Sequence, residues 1–241
     1  MAGNVAFVDR NAKILAQYAL GLATSITGVC FDGVYFWVTD TKVLYQFYQR
    51  NDGTFCAVQS FALATSIIPN CDALSCVDTD GYNLLVGYSG NDGGSPATQI
   101  KDVALISKSG VYLGSYSPGF LIGPTGGAWQ DISFTGAHVF AMRTSGLVVP
   151  NNWNIRLVNP QGAVISQTQR NPYNSFAFDG LNFVATSNTN IFNILDWNRR
   201  LLYSSGVALG ITTSCACCPN RDGSPSYDHR VNSTYVVFGY N

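Results

Sequence analysis

The sequence predicts an all-β protein assembled from one antiparallel unit that recurs along the chain. The clearest copy is residues 28–38, where an apolar strand, an Asp-Gly turn and a second apolar strand follow one another. Similar units occupy residues 74–86, 131–140 and 175–185, and a degenerate copy occupies 229–238. The turns of these units are marked by Gly33, Gly81, Gly136, Gly180 and Ser233. They lie about 40 to 55 residues apart, which is close to the period of propeller blades.

We therefore predict a single five-bladed β-propeller domain over residues 1–241, with four antiparallel strands in each blade. The first four blades are expected at about residues 24–63, 72–118, 128–169 and 173–206. The last blade combines residues 226–241 with 4–21, so that it is closed by N-terminal strands. Such a split blade would leave the ring without a free edge.

Apolar runs between polar turns place the individual strands. In the first blade they are expected at 26–31, 34–39, 43–49 and 55–61. The next three blades follow the same order, with strands at 74–79, 83–88, 102–107 and 111–116, then 130–134, 138–143, 154–158 and 163–168, then 174–178, 182–186, 191–195 and 201–205. The fifth blade is expected to take its inner strands from 227–231 and 234–240 and its outer strands from 5–8 and 14–20.

The first blade carries a resemblance to a known group of proteins. Its segment Phe31-Asp32-Gly33-Val34-Tyr35-Phe36-Trp37-Val38-Thr39-Asp40 resembles the blades of YVTN and NHL repeat propellers, which read apolar-Asp-Gly-x-aromatic-Trp-Val-x-Asp. The third blade departs from this pattern, because Thr135 stands where the aspartate would be. The resemblance implies a propeller fold. Other five-bladed propellers look like either sugar-binding lectins of the tachylectin type or glycoside hydrolases.

Composition excludes several classes of partner. Charged residues make up 11% of the chain and the net charge is -1, so there is no basic field to bind nucleic acid or an anionic membrane. No apolar run reaches the roughly 18 residues of a membrane span, and the N-terminus lacks the features of a secretory signal peptide. We expect cytoplasmic synthesis, no cofactor and no membrane insertion, with incorporation into a virion as one destination.

The two faces of the predicted ring differ in their loops. One face carries only tight turns, whereas the other carries the long connections at 64–73, 89–101, 120–129, 144–153 and 207–226. Long ordered loops are often functional, and aromatic and amide side chains suit a sugar or a protein partner. The expected binding face therefore comprises Asn91, Asp92, Trp129, Asn151, Asn152, Trp153, Tyr173, Asn174 and Tyr227. The alternative is that these loops cover the ring and contact neighbouring subunits.

Carboxylates offer the main route to catalysis. Asp32, Asp80 and Asp179 recur in tight turns, where aspartate bonds its own backbone, so we assign them a structural role. A glycoside hydrolase needs an acid and a base or nucleophile about 5 to 10 Å apart. If the protein were such an enzyme, the candidates near the inner strands would be Asp72, Asp131 and Asp228. These acids match no hydrolase motif, and we predict that the protein is not an enzyme.

The seven cysteines leave at least one outside any intramolecular disulfide. A zinc site would use Cys71, Cys215, Cys217 and Cys218, but the spacing lacks paired C-x2-C knuckles. A disulfide between Cys71 and the later group, or reduced thiols, agrees better with this spacing.

These observations predict a non-enzymatic recognition or assembly module, whose partners are protein neighbours in an assembly or a surface glycan. One form of this function is a virus or phage structural protein that acts in particle assembly or host attachment. The alternatives are a sugar-binding lectin that uses the long-loop face and a glycoside hydrolase.

Overall fold

The structure is a computed structural model. It describes residues 3–9, 11–91, 99–116, 129–135, 139–143, 154–159, 163–169, 173–179, 181–187, 189, 191–209, 214–218 and 235–240. Within these ranges the chain forms twenty β-strands and one turn of π-helix, Leu63–Ile67. No helix in this described part is long and apolar enough to cross a membrane.

Along the described chain the strands come as one pair, then four groups of four, then a second pair. Two come first, β1 (Asn4–Val8) and β2 (Ile14–Ala19). The next groups are β3 (Gly28–Phe31), β4 (Phe36–Thr39), β5 (Leu44–Gln49) and β6 (Phe55–Phe61), then β7 (Cys71–Thr79), β8 (Asn83–Asn91), β9 (Gln99–Ser107) and β10 (Tyr112–Tyr116). They are followed by β11 (Trp129–Phe134), β12 (Val139–Arg143), β13 (Asn154–Val158) and β14 (Val164–Gln169), then β15 (Tyr173–Phe178), β16 (Phe183–Ser187), β17 (Ile191–Leu195) and β18 (Leu201–Ala208). The last two are β19 (Ser214–Cys218) and β20 (Tyr235–Tyr240).

Each complete group forms one antiparallel sheet in which neighbours in sequence are neighbours in space. The predicted all-β class with antiparallel sheets is confirmed. A further sheet has the order β19-β20-β1-β2, so the two ends of the described chain lie side by side in it. Its register pairs Val5 with Gly239 and Val8 with Val236.

The first strand of this terminal sheet differs from the prediction. The partner of β20 is Ser214–Cys218, with Cys215 opposite Phe238, whereas we expected residues 227–231 in this place. The segment 227–231 lies outside the described residues. Small apolar cysteine and alanine side chains suit a close-packed strand, but their clustering made this stretch look like a loop that carried a site.

We call β3, β7, β11, β15 and β19 the inner strands, because they contact one another from sheet to sheet in the cyclic order β3, β7, β11, β15, β19 and back to β3. At the opposite edges of the sheets lie the outer strands, which are β2, β6, β10, β14 and β18. Apolar side chains fill the space between sheets; Trp37, Leu44, Leu63 and Leu84 have no exposed surface.

Aromatic rings join the terminal sheet to the sheet that follows it. Phe7 on β1 lies 5.8 Å from Phe36 on β4 and 5.7 Å from Tyr18 on β2, measured between ring centroids. Phe55 on β6 lies 5.1 Å from Phe36 and 5.6 Å from Tyr18. Such edge-on and tilted pairs add about 0.5–1.5 kcal/mol each to the stabilisation from burial. The N-terminal strands are therefore part of the core.

Candidate functional site

The structure places four of the expected binding-face residues at one end of their sheets. Trp129 begins β11, Tyr173 and Asn174 begin β15, and Asn91 ends β8. Because the start of a first strand lies beside the end of the antiparallel second strand, all of these positions belong to the face of the long connections. The other expected members fall outside the described residues: Asp92, Asn151, Asn152, Trp153 and Tyr227. A binding site on this face stays a prediction.

A small polar group at this face links two sheets. The side chain of Asn91 donates from Nδ2 to Oδ2 of Asp72, at 2.8 Å. The ammonium group of Lys42 donates to the main-chain carbonyl of Asp72 across the boundary between sheets, at 2.5 Å. Asp72 and Asn91 are exposed. A carboxylate beside an amide offers acceptors and donors that a hydroxyl-rich ligand can use.

Asp131, the second candidate acid, is enclosed and has no exposed surface. Its Oδ1 accepts the N–H of Ile132 at 3.0 Å, and its Oδ2 accepts the N–H of Phe176 on the neighbouring inner strand at 3.1 Å. Asp131 is therefore enclosed whereas Asp72 is exposed, and the contacts of Asp131 assign it a main-chain binding role. The third candidate, Asp228, lies outside the described residues.

The same kind of link recurs between successive inner strands. Asp78 on β7 accepts the N–H of Phe134 on β11 at 2.5 Å, and Ser133 on β11 accepts the N–H of Phe178 on β15 at 2.9 Å. These side chains satisfy N–H groups on strand edges that have no neighbouring strand. Sequence reasoning missed these links, since the partners are 45 to 56 residues apart.

Burial changes the pKa values of ionisable side chains near these links between inner strands. Desolvation raises the pKa of Asp78 to about 7, although hydrogen bonds from the N–H groups of Phe134 and Thr79 act in the opposite direction. Cys76 is fully buried beside it, and desolvation together with the charge of Asp131 raises the pKa of its thiol well above the usual value. Thiols of this kind are poor nucleophiles, because the thiolate is the reactive form.

Cys71, the first of the predicted metal ligands, is a buried free thiol. Desolvation raises its pKa to about 11, so the metal-binding thiolate is disfavoured at neutral pH. Cys215, Cys217 and Cys218 lie on β19, and their side chains are outside what the structure describes. No group of three metal-binding side chains occurs among the described residues. The disulfide alternative for Cys71 is therefore not formed in this structure, whereas the zinc site remains a sequence prediction.

The repeated turn aspartates have the local role that the sequence indicated. Oδ1 of Asp32 accepts the N–H groups of Val34 and Tyr35, and Asp80 and Asp179 bind the corresponding N–H groups in their own turns. Asp32 also accepts Trp37 Nε1 at 3.0 Å and pairs with Lys108 of the next sheet at 2.9 Å. Burial of Asp32 opposes ionisation, but these hydrogen bonds outweigh it and lower the pKa.

The most conspicuous exposed surface of the described residues is the belt of outer strands. Large apolar side chains are exposed on or next to every one of them: Ile14, Leu15, Val58, Val111, Leu113, Val164, Ile165, Leu201, Leu202 and Tyr203. The outer strands read ILAQYA, FCAVQSF, YLGSY, VISQTQ and LLYSSGVA, without one charged residue or proline. Edge strands of monomeric proteins are normally blunted by charges, especially lysine, or by proline. The described outer strands therefore lack the charges and prolines that usually protect such edges.

Outer strands also contact the turn of the following sheet. A Cβ atom on Gly53 would lie 2.7 Å from Oη of Tyr18, and one on Gly110 would lie 2.2 Å from the ring of Phe61. Between β18 and the turn that joins β1 to β2 there is a cavity of about 350 Å³, lined by Asn11, Ala12, Ile14, Ser205, Ala208 and Leu209. The belt therefore continues from one sheet to the next at the Gly53 and Gly110 junctions, and a cavity lies at the third. The apolar pattern of the outer strands was visible in the sequence, but the sequence analysis assigned the binding function to the long loops instead.

Comparison with known proteins gives a limited result. No protein-family model matches the chain, and no curated protein matches it. Among solved structures, the chain is similar to the one described as "Structure of Dos1 propeller", with 12% sequence identity and a TM-score of 0.45. The match covers 83% of this chain and 52% of the other, so this chain spans about half the length of that protein.

Proposed function

We propose that the chain is a single five-bladed β-propeller in which each four-stranded sheet is one blade. The cyclic contacts of the inner strands support this proposal, since a ring of blades requires each inner strand to contact the two next to it. The side-chain links from β7 to β11 and from β11 to β15 are consistent with this order. In this arrangement β1 and β2 complete the blade that β19 and β20 begin.

We further propose that this propeller is a non-enzymatic module for recognition and assembly. The observation that carries the proposal is the uncharged, apolar belt of outer strands, because such edges associate with other chains unless they are covered. The chemistry of the described interior supports the same conclusion. Asp131 and Asp78 bind main-chain N–H groups, and the Cys71 and Cys76 thiols are buried.

A narrower form of the proposal is a structural component of a virus or phage particle, for assembly or host attachment. What supports this form is composition alone, namely a charged fraction of 11% and a net charge of -1. The partners would then be protein neighbours, with a surface glycan as the ligand of an attachment protein. The exposed Asp72–Asn91 pair is the described position at which a glycan hydroxyl could bind.

The test is the mass of the protein as it occurs in its source, measured by light scattering and followed by cryo-electron microscopy of any large species. We expect an assembly much heavier than 26.0 kDa. The same material is applied to a glycan array and to a panel of glycan substrates. Hydrolysis that is lost in Asp72→Asn would contradict the proposal and favour a hydrolase. A monomer that binds sugars without turnover would favour a lectin.

A further inference from the structure

Five-residue turns of one shared conformation join the third strand of a sheet to its outer strand. In four of these turns the first residue donates its main-chain N–H to the carbonyl of the fifth, and the fourth residue donates to the carbonyl of the first. The four turns are residues 9–13, 50–54, 107–111 and 196–200. Their fourth residue has a positive φ, and in two of them it is a glycine, Gly53 at 87° and Gly110 at 84°. Glycine adopts this conformation without strain, whereas other residues pay for it.

The turn between β17 and β18 places an arginine at this position. Arg199 has a φ of 65°, and the remaining turn has Ala12 there at 64°. The Nε atom of Arg199 is buried and has no hydrogen-bond partner within the part of the chain that the structure describes. Desolvation lowers the pKa of Arg199, although the charge of Asp196 acts in the opposite direction. Backbone strain together with an unpaired buried donor costs stability that a glycine would not cost, and such costs are typical of functional positions.

Two further side chains of the same turn are available to a ligand. Trp197 is 44% exposed and rests on the rings of Phe178 and Phe183, at 5.8 and 5.9 Å between centroids, so the indole is held in place. Arg200 is exposed, and its main-chain N–H donates to Oδ1 of Asp196 at 2.8 Å, so this acid supports the turn. Because each residue spans at most about 3.6 Å, the Cα atoms of Trp197 and Arg200 lie within about 11 Å of each other.

We propose that the turn 196–200 binds an acidic sugar, with Arg199 and Arg200 pairing with its carboxylate and Trp197 packing against its ring. This inference rests on the proposed recognition function and adds to it a ligand class and a site. Guanidinium groups match carboxylates in bidentate pairs, and an exposed indole offers an apolar face beside a polar N–H. A bound carboxylate would draw the Arg199 side chain towards it and supply the acceptor that Nε lacks.

The position and size of the site separate it from other candidates. The turn lies at the opposite end of its sheet from the long connections, and is therefore distinct from the Asp72–Asn91 pair. Nucleic acid and acidic protein segments need cationic groups along an extended surface, but the adjoining strand β18 reads LLYSSGVA and has no charge. One aromatic side chain beside two guanidinium groups corresponds to one ring with one acid group.

The experiment measures binding of the full chain to albumin conjugates of glucuronate, galacturonate and N-acetylneuraminate by biolayer interferometry. Each conjugate is paired with its carboxyl-reduced form, which keeps the ring and its hydroxyl groups and removes the charge. We expect at least one acidic conjugate to bind about tenfold or more tightly than its reduced partner.

Arg199→Gly is the decisive variant, because it installs the residue that two of the other turns have at this position. We expect binding of the acidic conjugate to weaken about tenfold or more, with a thermal midpoint equal to or above that of wild type. The loss of binding could then not be attributed to misfolding. Ala12→Gly is the matched control, since it changes the same position of the turn between β1 and β2 and should leave binding unchanged.

Two more variants divide the contributions within the turn. Arg199→Lys keeps the charge but loses the planar fork, and should weaken binding about threefold or more. Trp197→Ala should weaken binding of both members of a conjugate pair by a similar factor, because it removes the contact with the ring and not the contact with the acid.

Equal binding of every acidic conjugate and its reduced form would overturn the inference, and so would unchanged binding in Arg199→Gly. An oligoglutamate conjugate that binds more tightly than every sugar would assign the turn to an acidic protein and refute the sugar ligand. The proposed function is decided separately by the mass of the native material, since a large native assembly without acidic sugar binding would keep that proposal and refute only this one.

Discussion

The carboxylate of Asp78 on β7 accepts the main-chain N–H of Phe134 on β11, so a side chain of one inner strand completes the hydrogen bonding of the next. The same geometry joins Ser133 to Phe178 and Asp131 to Phe176. These links replace the ladder that adjacent strands of one sheet would provide. They also put ionisable groups in places where their charge is costly.

Asp78 should make stability depend on pH. Because burial raises its pKa to about 7 from an ordinary value of 3.8, the folded state binds more protons than the unfolded state between these values. The contribution is thus fully present below about pH 4 and is lost as the pH rises through about 7. Urea unfolding of wild type and Asp78→Asn from pH 4 to 8 checks this, with a flatter profile expected for the variant.

The amide oxygen introduced by Asp78→Asn could still accept the N–H of Phe134, so Asp78→Ala is the informative comparison for the hydrogen bond itself. Loss of this acceptor should reduce stability by about 1–3 kcal/mol at pH 5. Parallel pH profiles for wild type and Asp78→Asn would contradict the assignment of the titration to this residue.

Asp131→Ala should destabilise the protein at neutral pH. The substitution leaves the N–H groups of Ile132 and Phe176 without their acceptor, at a cost of about 2–4 kcal/mol in the free energy of unfolding. Asp72→Ala is the control, because Asp72 is exposed, and it should change stability by less than about 1 kcal/mol. Equal effects in chemical denaturation would refute the structural role of Asp131.

Gly28→Ala should disturb the contact between β3 and β7. The new Cβ would lie 2.6 Å from the main-chain nitrogen of Val77 and 2.7 Å from Cα of Cys76, so backbone atoms must move. We expect a loss of about 2 kcal/mol or more. Gly33→Ala is the comparison that separates this crowding from conformational strain. Gly33 has a φ of 97° and open space around it, so its substitution should lower the free energy of unfolding by about 1 kcal/mol through strain alone. A thermal midpoint for Gly28→Ala above that of Gly33→Ala would contradict the crowding.

Removal of residues 1–20 should unfold the protein. These residues include β1, in which Val5, Ala6 and Val8 have no exposed surface, and their loss uncovers the edge of β20. Circular dichroism and near-ultraviolet spectra of the truncated chain should lack the native signal, and a synthetic peptide of residues 1–22 should restore it. Leu15→Lys, which changes an exposed residue of β2, should fold normally. A native spectrum after truncation would refute the structural role of the terminal strands.

Sequence reasoning identified what is determined locally. Asp32, Asp80 and Asp179 could be assigned because an aspartate in a tight turn binds N–H groups two and three residues on. Strands with apolar alternation were also recognisable. The hydrogen bonds of Asp78 and Asp131 were not, since they join strands distant in sequence and no local pattern distinguishes them from other acids.

Which segments form the strands of the terminal sheet was harder to predict. The run Ser214–Cys218 forms β19, yet its cysteines suggested a ligand site, and the similarity of 229–238 to the other units favoured 227–231 as the strand. We predicted the binding site on the long loops. Among the described residues, the clearer indication of an interaction surface is the set of exposed apolar side chains on the outer strands.

The order β19-β20-β1-β2 also has a consequence for biosynthesis. β1 is synthesised more than 200 residues before its partner β20. At about 5–20 residues per second, β1 waits roughly ten to fifty seconds for that partner. During this interval the apolar side chains of Val5, Phe7 and Val8 lack the β20 neighbour that helps to enclose them, so closure of the terminal sheet is a late event of folding.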